Sequence, residues 1–255
     1  MFKAIRITLL LFILVLVSVS TWLSGVRSTD WNNTLYLKIY PIDADGSDAV
    51  ARQIETLTEN DFDGVEDFMR REIGRYGKTL DVPVRVELGQ PVSEQPPEIG
   101  DAGNLLGVIA WSLKLRWWAH SVASAQDRPA PDVRLFVRFH APQDDLRLDN
   151  SVGLKKGMVG IVNAYAGRRY RGRNNVIIAH EFLHTLGATD KYDRSNGHPV
   201  FPDGYAEPER RPLYPQTLAE IMGGRVPLAA NDSDMPSSLA AVRIGSLTAN
   251  EIGLR

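Results

Sequence analysis

Two histidines four residues apart carry the strongest chemical signal in the sequence. His180-Glu181-Phe182-Leu183-His184 lies in a stretch patterned as helix, so both imidazoles would leave one face, one turn apart. That geometry suits a single zinc ion. Glu181 would stand beside the ion rather than on it, where a carboxylate can take a proton from an attacking water and pass it to a leaving amine. Gly187 can adopt the left-handed conformation that ends a helix, after which the chain turns back and brings Asp190 within reach as a third ligand. Two imidazoles and one carboxylate leave a fourth tetrahedral position for water, as a catalytic zinc site requires. His198, in an Asn-Gly-His-Pro turn, and Glu207, Glu209 and Glu220 are the other ligands to weigh. Pro208 and Pro212 argue against helix around Glu207 and Glu209. Tyr192, Tyr205 and Tyr214 could each donate a hydrogen bond to a tetrahedral intermediate, and the sequence does not choose among them.

The rest of the composition narrows the chemistry further. With no cysteine in 255 residues, disulfide scaffolds, zinc ribbons and thiol catalysis are excluded, and any metal must be held by His, Asp or Glu. Only five histidines exist. Basic and acidic residues nearly balance, at 29 and 31, which leaves no electrostatic footprint for nucleic acid. A hydrophobic content of 44% with 24% charge fits one globular domain with an appendage.

The appendage is at the N-terminus. Ile7 to Val26 is a run of 20 residues without a charge, flanked by Lys3 and Arg6 before it and Arg27 after it. At about 1.5 Å per helical residue it just spans a hydrocarbon core of roughly 30 Å. We expect residues 1–27 to be a signal anchor with its N-terminus in the cytoplasm, and residues 28–255 to be an exported domain tethered to the cell membrane. The alternative is a signal peptide cleaved near Ser18-Val19-Ser20, giving a secreted protein.

The positioning elements follow from patterning. Leu35 to Ile42 alternates as a strand, Asp43 to Gly46 is a turn, and Ser47 to Tyr76 is helix in two pieces. Phe62, Val65, Phe68, Met69 and Ile73 give its second piece an apolar stripe, with Gly77 as a stop. Val82 to Leu88 is a second strand, and Gly89 to Gly103 a loop. Leu105 to Ser121 is a helix whose stripe of Leu106, Ile109, Leu113 and Trp117 is expected in the core rather than against a membrane. Val133 to Phe139 and Met158 to Ala164 are strands, and the second is the expected free edge for substrate. Arg168, Arg169, Arg171 and Arg173 are expected in a solvated loop, or as a cationic rim, before a helix capped by Asn174 and Asn175 and running from Val176 to Leu186. The mixture implies an α+β layer fold with one sheet and an irregular C-terminal part.

The string His180-Glu181-x-x-His184-x-x-Gly187-x-x-Asp190 resembles the metzincin type of zinc peptidase, in the variant where Asp replaces the usual third His, as in snapalysin-like peptidases. The continuation Asp190-Lys191-Tyr192-Asp193 resembles peptidases of the immune inhibitor A type. Metzincins add a methionine turn beneath the zinc, and Ile221-Met222-Gly223-Gly224 fits it, with Glu220 just before. The motifs cover about residues 174–225. The chain departs from these families in showing no evident pro-segment, since a strand follows the apolar run almost at once. The resemblance implies a zincin-like fold with a mixed twisted sheet, Zn2+ on His180, His184 and Asp190, Glu181 as general base, Met222 as support, and a protein or peptide substrate. Two other functions use the same residues: an exported binding or assembly protein on that scaffold, and a hydrolase of non-protein amides such as cell-wall crosslinks.

Overall fold

The chain, seen in a computed structural model, is described over residues 29–98, 105–124, 127, 129–142, 151–154 and 158–255, with Arg6 and Phe12 alone before them. The expected anchor, Ile7 to Val26, lies outside the described residues apart from Phe12. Among the described residues no helix is long and apolar enough to cross a membrane.

The architecture is α+β around one mixed sheet. Five strands, β1 (Leu35–Asp43), β2 (Val84–Leu88), β3 (Val133–His140), β4 (Val152–Leu154) and β5 (Val159–Tyr165), lie in the order β2-β1-β3-β5-β4. All neighbours are parallel except β4, which runs antiparallel to β5. The helices α1 (Asp48–Thr56) and α2 (Asp63–Arg75) connect β1 to β2, α3 (Leu105–Ala123) connects β2 to β3, and α4 (Arg171–Leu186) follows β5. The step from β1 to β2 moves one way along the sheet, and the step from β2 to β3 moves back across β1. Right-handed crossovers in opposite directions place their helices on opposite faces. Leu35, Leu37 and Ile39 accordingly face a core shared with α1, α2 and α4, while Tyr40 and Ile42 face α3. The C-terminal third packs into the first core through β6 (Ala219–Glu220), β9 (Val242–Arg243) and α5 (Ser246–Glu251). Between them, β7 (Val226–Ala229) and β8 (Asp232–Asp234) form a short hairpin.

Three expectations are corrected. Met158 to Ala164 forms strand, but as β5 it lies between β3 and β4, so the edge on that side of the sheet is β4, a three-residue strand too short for its pattern to be read. The stripe of α3 is reversed. Ile109, Leu113 and Trp117 are exposed, the Leu106 side chain lies outside those described, and the helix meets the sheet through Trp111, Leu115, Trp118 and Ala119. Trp118 and Tyr40 pack on Phe136, with ring centroids 4.6 and 5.0 Å away. Both faces of α3 are apolar, so periodicity alone does not tell which one the sheet takes. Finally, α4 begins at Arg171, five residues earlier than expected, and Asn174 and Asn175 lie inside it rather than capping it. Asn174 exchanges two hydrogen bonds with the Tyr165 backbone (2.9 and 3.2 Å), and Asn175 donates to the Asp61 carbonyl at 3.0 Å. They dock the helix onto β5 and onto the turn before α2. The arginines expected in a loop form a short 3-10 turn, Arg168–Tyr170, and the first turn of α4.

The reversed stripe gives a direct check. Leu115→Ala should cost about 2–5 kcal/mol of unfolding free energy, whereas Leu113→Ala should stay within about 0.5 kcal/mol. Chemical denaturation curves would measure both, and the opposite ranking would return the exposed stripe to the core.

Candidate metal centre

The pair His180 and His184 is set by the helix that carries it. α4 presents both rings on one side, with centroids 4.6 Å apart and planes at 83°. Each ring is then fixed by its Nδ1, which lies 2.9 Å from the Ile221 carbonyl in His180 and 2.8 Å from the Ala188 carbonyl in His184. A carbonyl oxygen only accepts, so both Nδ1 atoms carry the proton and both Nε2 atoms are left to face inward. Asp190 meets them there. Its Oδ1 is 3.3 Å from His180 Nε2 and 2.9 Å from His184 Nε2. That oxygen is buried and has no hydrogen-bond partner.

Two bare ring nitrogens and a carboxylate oxygen thus converge with no donor between them. Three lone pairs in that arrangement repel unless a cation or a proton sits at their centre. In tetrahedral coordination at about 2.0–2.2 Å, ligand atoms stand roughly 3.3–3.6 Å apart; Asp190 Oδ1 matches this to His180 and is closer to His184. Imidazole nitrogen with carboxylate oxygen is a donor set suited to zinc. The residues present therefore fit the ion that the sequence motif implies. Without it, a proton fills the same role: burial pushes the His180 imidazole down, but Asp190 and the charge of Glu181 outweigh it and hold its pKa above the usual value. Burial pushes the Asp190 carboxyl up, and the two histidines reverse this and hold it well below the usual carboxylate range.

Glu181 completes the cluster. A carboxylate oxygen of Glu181 and one nitrogen from each histidine lie within 4.8 Å of one another, a second group beside the one that Asp190 makes with the same rings. It is buried, and its Oε2 has no partner. Burial raises its pKa against the pull of both histidines, the direction that suits a proton acceptor near neutral pH. β4 forms the wall beside it. A Cβ at Gly153 would stand 2.5 Å from the Glu181 carbonyl oxygen and 2.6 Å from His184 Cβ, so only glycine lets the edge strand lie this close.

The loop after α4 is clamped on both sides of Asp190. Gly187, at φ 113°, ends the helix in the left-handed conformation, as expected from its place after His184. Glu251, from α5, accepts from Thr189 N at 3.1 Å, Thr189 Oγ1 at 2.6 Å and Lys191 Nζ at 2.7 Å. The Lys191 backbone N–H reaches the Met222 carbonyl at 2.9 Å. The turn that supplies the Ile221 carbonyl to His180 is held in its turn by Glu220, which is fully buried. Its Oε2 accepts from Met222 N (2.7 Å) and Gly223 N (2.8 Å), and its Oε1 from Gly245 N (3.0 Å) and Thr248 Oγ1 (2.7 Å). Met222 is itself buried in the core into which α4 packs.

The other sequence candidates divide. Tyr192 comes nearest, with its ring 6.4 Å from that of His180, and burial with the charges of Asp190 and Glu181 raises its pKa. Tyr205 and Tyr214 hydrogen-bond each other at 2.8 Å, and His198 Nε2 lies 3.4 Å from the Tyr205 hydroxyl rather than with the other two histidines. Glu207 is occupied by Thr217 and Arg210, Glu209 is exposed at the surface, and Glu220 is an anchor and not a ligand. Glu251, Gly153 and the anchoring role of Glu220 were missed. No local pattern marks Glu251, whose partners lie 60 and 62 residues away in sequence.

No protein-family model and no curated protein matches the chain. A solved structure described as "Structure of a chaperone-substrate complex" is similar at a TM-score of 0.41 and 12% identity, over 87% of this chain and 33% of that one. A likeness of that size bears on neither fold nor function, so the side-chain geometry carries the functional reading. It is tested by zinc titration against a competing chelator. Asp190→Ala should weaken zinc by more than about 100-fold, because outer partners alone are worth about 10–100-fold. Glu251→Ala, which frees the loop but leaves all three ligands, should fall within that outer range. His198→Ala should leave the affinity unchanged, and a larger loss there than at Asp190 would move the third ligand.

Proposed function

We propose that this chain is a zinc-dependent endopeptidase of zincin-like fold, tethered to the cell membrane by residues 7–26 with its domain outside the cytoplasm. The observation that carries the reading is Asp190 Oδ1 standing within 3.3 Å of both His180 Nε2 and His184 Nε2, with both Nδ1 atoms committed to backbone carbonyls. The three side chains would hold the ion, and Met222 would support them from below. Bound there, zinc would supply a Lewis acid that polarises a carbonyl and makes water acidic at neutral pH.

The remaining steps belong to the chain. A peptide substrate pairs as a strand with the outer edge of β4, which no other strand occupies among the described residues. The scissile bond then lies over the side of α4 that carries Glu181. With its carboxyl held above the usual range by burial, Glu181 accepts a proton from the attacking water and returns it to the leaving amine. Tyr192, whose ring is 6.4 Å from that of His180, would donate to the oxyanion that forms.

Glu181→Gln separates the chemistry from the binding. The amide keeps the shape but cannot take the proton. Zinc content should stay near one per chain, while cleavage of a broad peptide library should fall by about 10²–10⁴-fold. Equal background cleavage by wild type and variant, both fully loaded with zinc, would instead make the chain a binding protein. Loss of zinc in the variant would make Glu181 part of the metal site.

A further inference from the structure

The face that α3 turns to solvent carries three large apolar side chains in a row, followed by His120. Ile109, Leu113 and Trp117 are 49%, 56% and 72% exposed. At about 100° per residue they fall within roughly 80° of one another, and Lys114 and Arg116 flank them on either side. No acidic residue occurs anywhere in α3. Single exposed apolar side chains are ordinary, but three on one face, with a Trp among them and a cation on either side, suit the boundary between lipid headgroups and acyl chains. Tyr36, 43% exposed, belongs to the same side of the sheet, at the start of β1.

The N-terminal run brings a membrane near the domain, although Trp31, where the run joins the fold, packs in the core on the other side of the sheet from α3. Trp31 is buried, and its Nε1 donates to the Ile252 carbonyl at 2.7 Å, so the fold is already fixed four residues after Arg27. Four residues span at most about 14 Å, which keeps a domain tethered through residues 7–26 against the bilayer. The metal centre lies on the opposite face of the sheet, so α3 can meet lipid without covering it. A second copy of this chain fits less well. In a two-fold contact across the stripe, Lys114 and Arg116 of one copy would meet the same cations of the other, with no acid on either helix to pair them.

We propose that α3 is a membrane-docking helix, its exposed stripe entering the boundary between headgroups and acyl chains and its two cations lying at lipid phosphates. This rests on the tether and not on the metal chemistry. The absence of cysteine makes a clean probe possible. Full-length chain carrying Leu113→Cys, labelled with an environment-sensitive fluorophore, would be reconstituted into vesicles of phosphatidylcholine and phosphatidylglycerol. Ile109→Cys serves as a second site, and Leu228→Cys, exposed on the C-terminal hairpin, as the control. At 109 and 113 the emission should shift to the blue and lose about half its intensity to spin-labelled lipid, while at 228 neither should happen. Three results would overturn the proposal. A water-like label at 109 and 113 on vesicle-bound protein removes the docking face and keeps the tether. A dry label that lipid does not quench means that a second copy or residues 7–26 cover the stripe. Protein that does not float with the vesicles removes the tether and the docking together.

Discussion

Two backbone carbonyls decide what the histidines of this protein can do. Because Ile221 and Ala188 each accept from an Nδ1, the imidazoles are held in one tautomer with Nε2 turned toward Asp190. Asp190 Oδ1, which meets them there, has no hydrogen-bond donor of its own, while Arg194 pairs with Oδ2 of the same carboxylate at 3.2 Å. Metal-binding histidines commonly have their second nitrogen tied in this way, which fixes ring orientation and raises basicity.

The carbonyls are supplied from different distances. Ala188 follows α4 directly, and the left-handed turn at Gly187 is enough to bring its oxygen back to His184. Ile221 lies 41 residues from His180, and its position depends on a buried carboxylate, Glu220, that gathers four donors from its own turn and from the start of α5. Burial raises the pKa of Glu220 against those donors, so its fixed position is obtained at an electrostatic cost that the hydrogen bonds offset. Glu72 does similar work between α2 and β9. Its buried side chain pairs with Arg71, Arg75 and Arg243 and accepts from Ile244 N at 3.0 Å. The C-terminal third has little regular structure, yet it holds the helix, the turn and the Asp190 loop in register.

Most of the site is legible in the sequence because it is local. His180, Glu181 and His184 share one helix, and Gly187 and Asp190 follow within six residues of His184, so spacing alone brings them together. The strands and helices around them announce themselves by period, to within a few residues of their observed ends. What fails is what depends on tertiary choice. α3 has two apolar faces, and only the sheet decides which is buried. β4 has three residues, and its nearness to α4 rests on one glycine. Asn174 and Asn175 have the composition of a cap but bond to β5 and to the turn before α2, since Tyr165 and Asp61 offer them backbone partners there. Glu251 belongs to the site only through a contact that closes more than 60 residues of chain.

The central claim, that two imidazoles are held with Nδ1 protonated and Nε2 free for a cation, is open to direct test by nitrogen-15 NMR of the imidazole side chains. With five histidines in the chain, the spectrum can be assigned by single substitutions. On addition of one equivalent of zinc, the account predicts that His180 and His184 alone change at Nε2, keep the proton on Nδ1, and leave His120, His140 and His198 as they were. Zinc entering at Nδ1 of either ring, or leaving both rings unchanged, would contradict it.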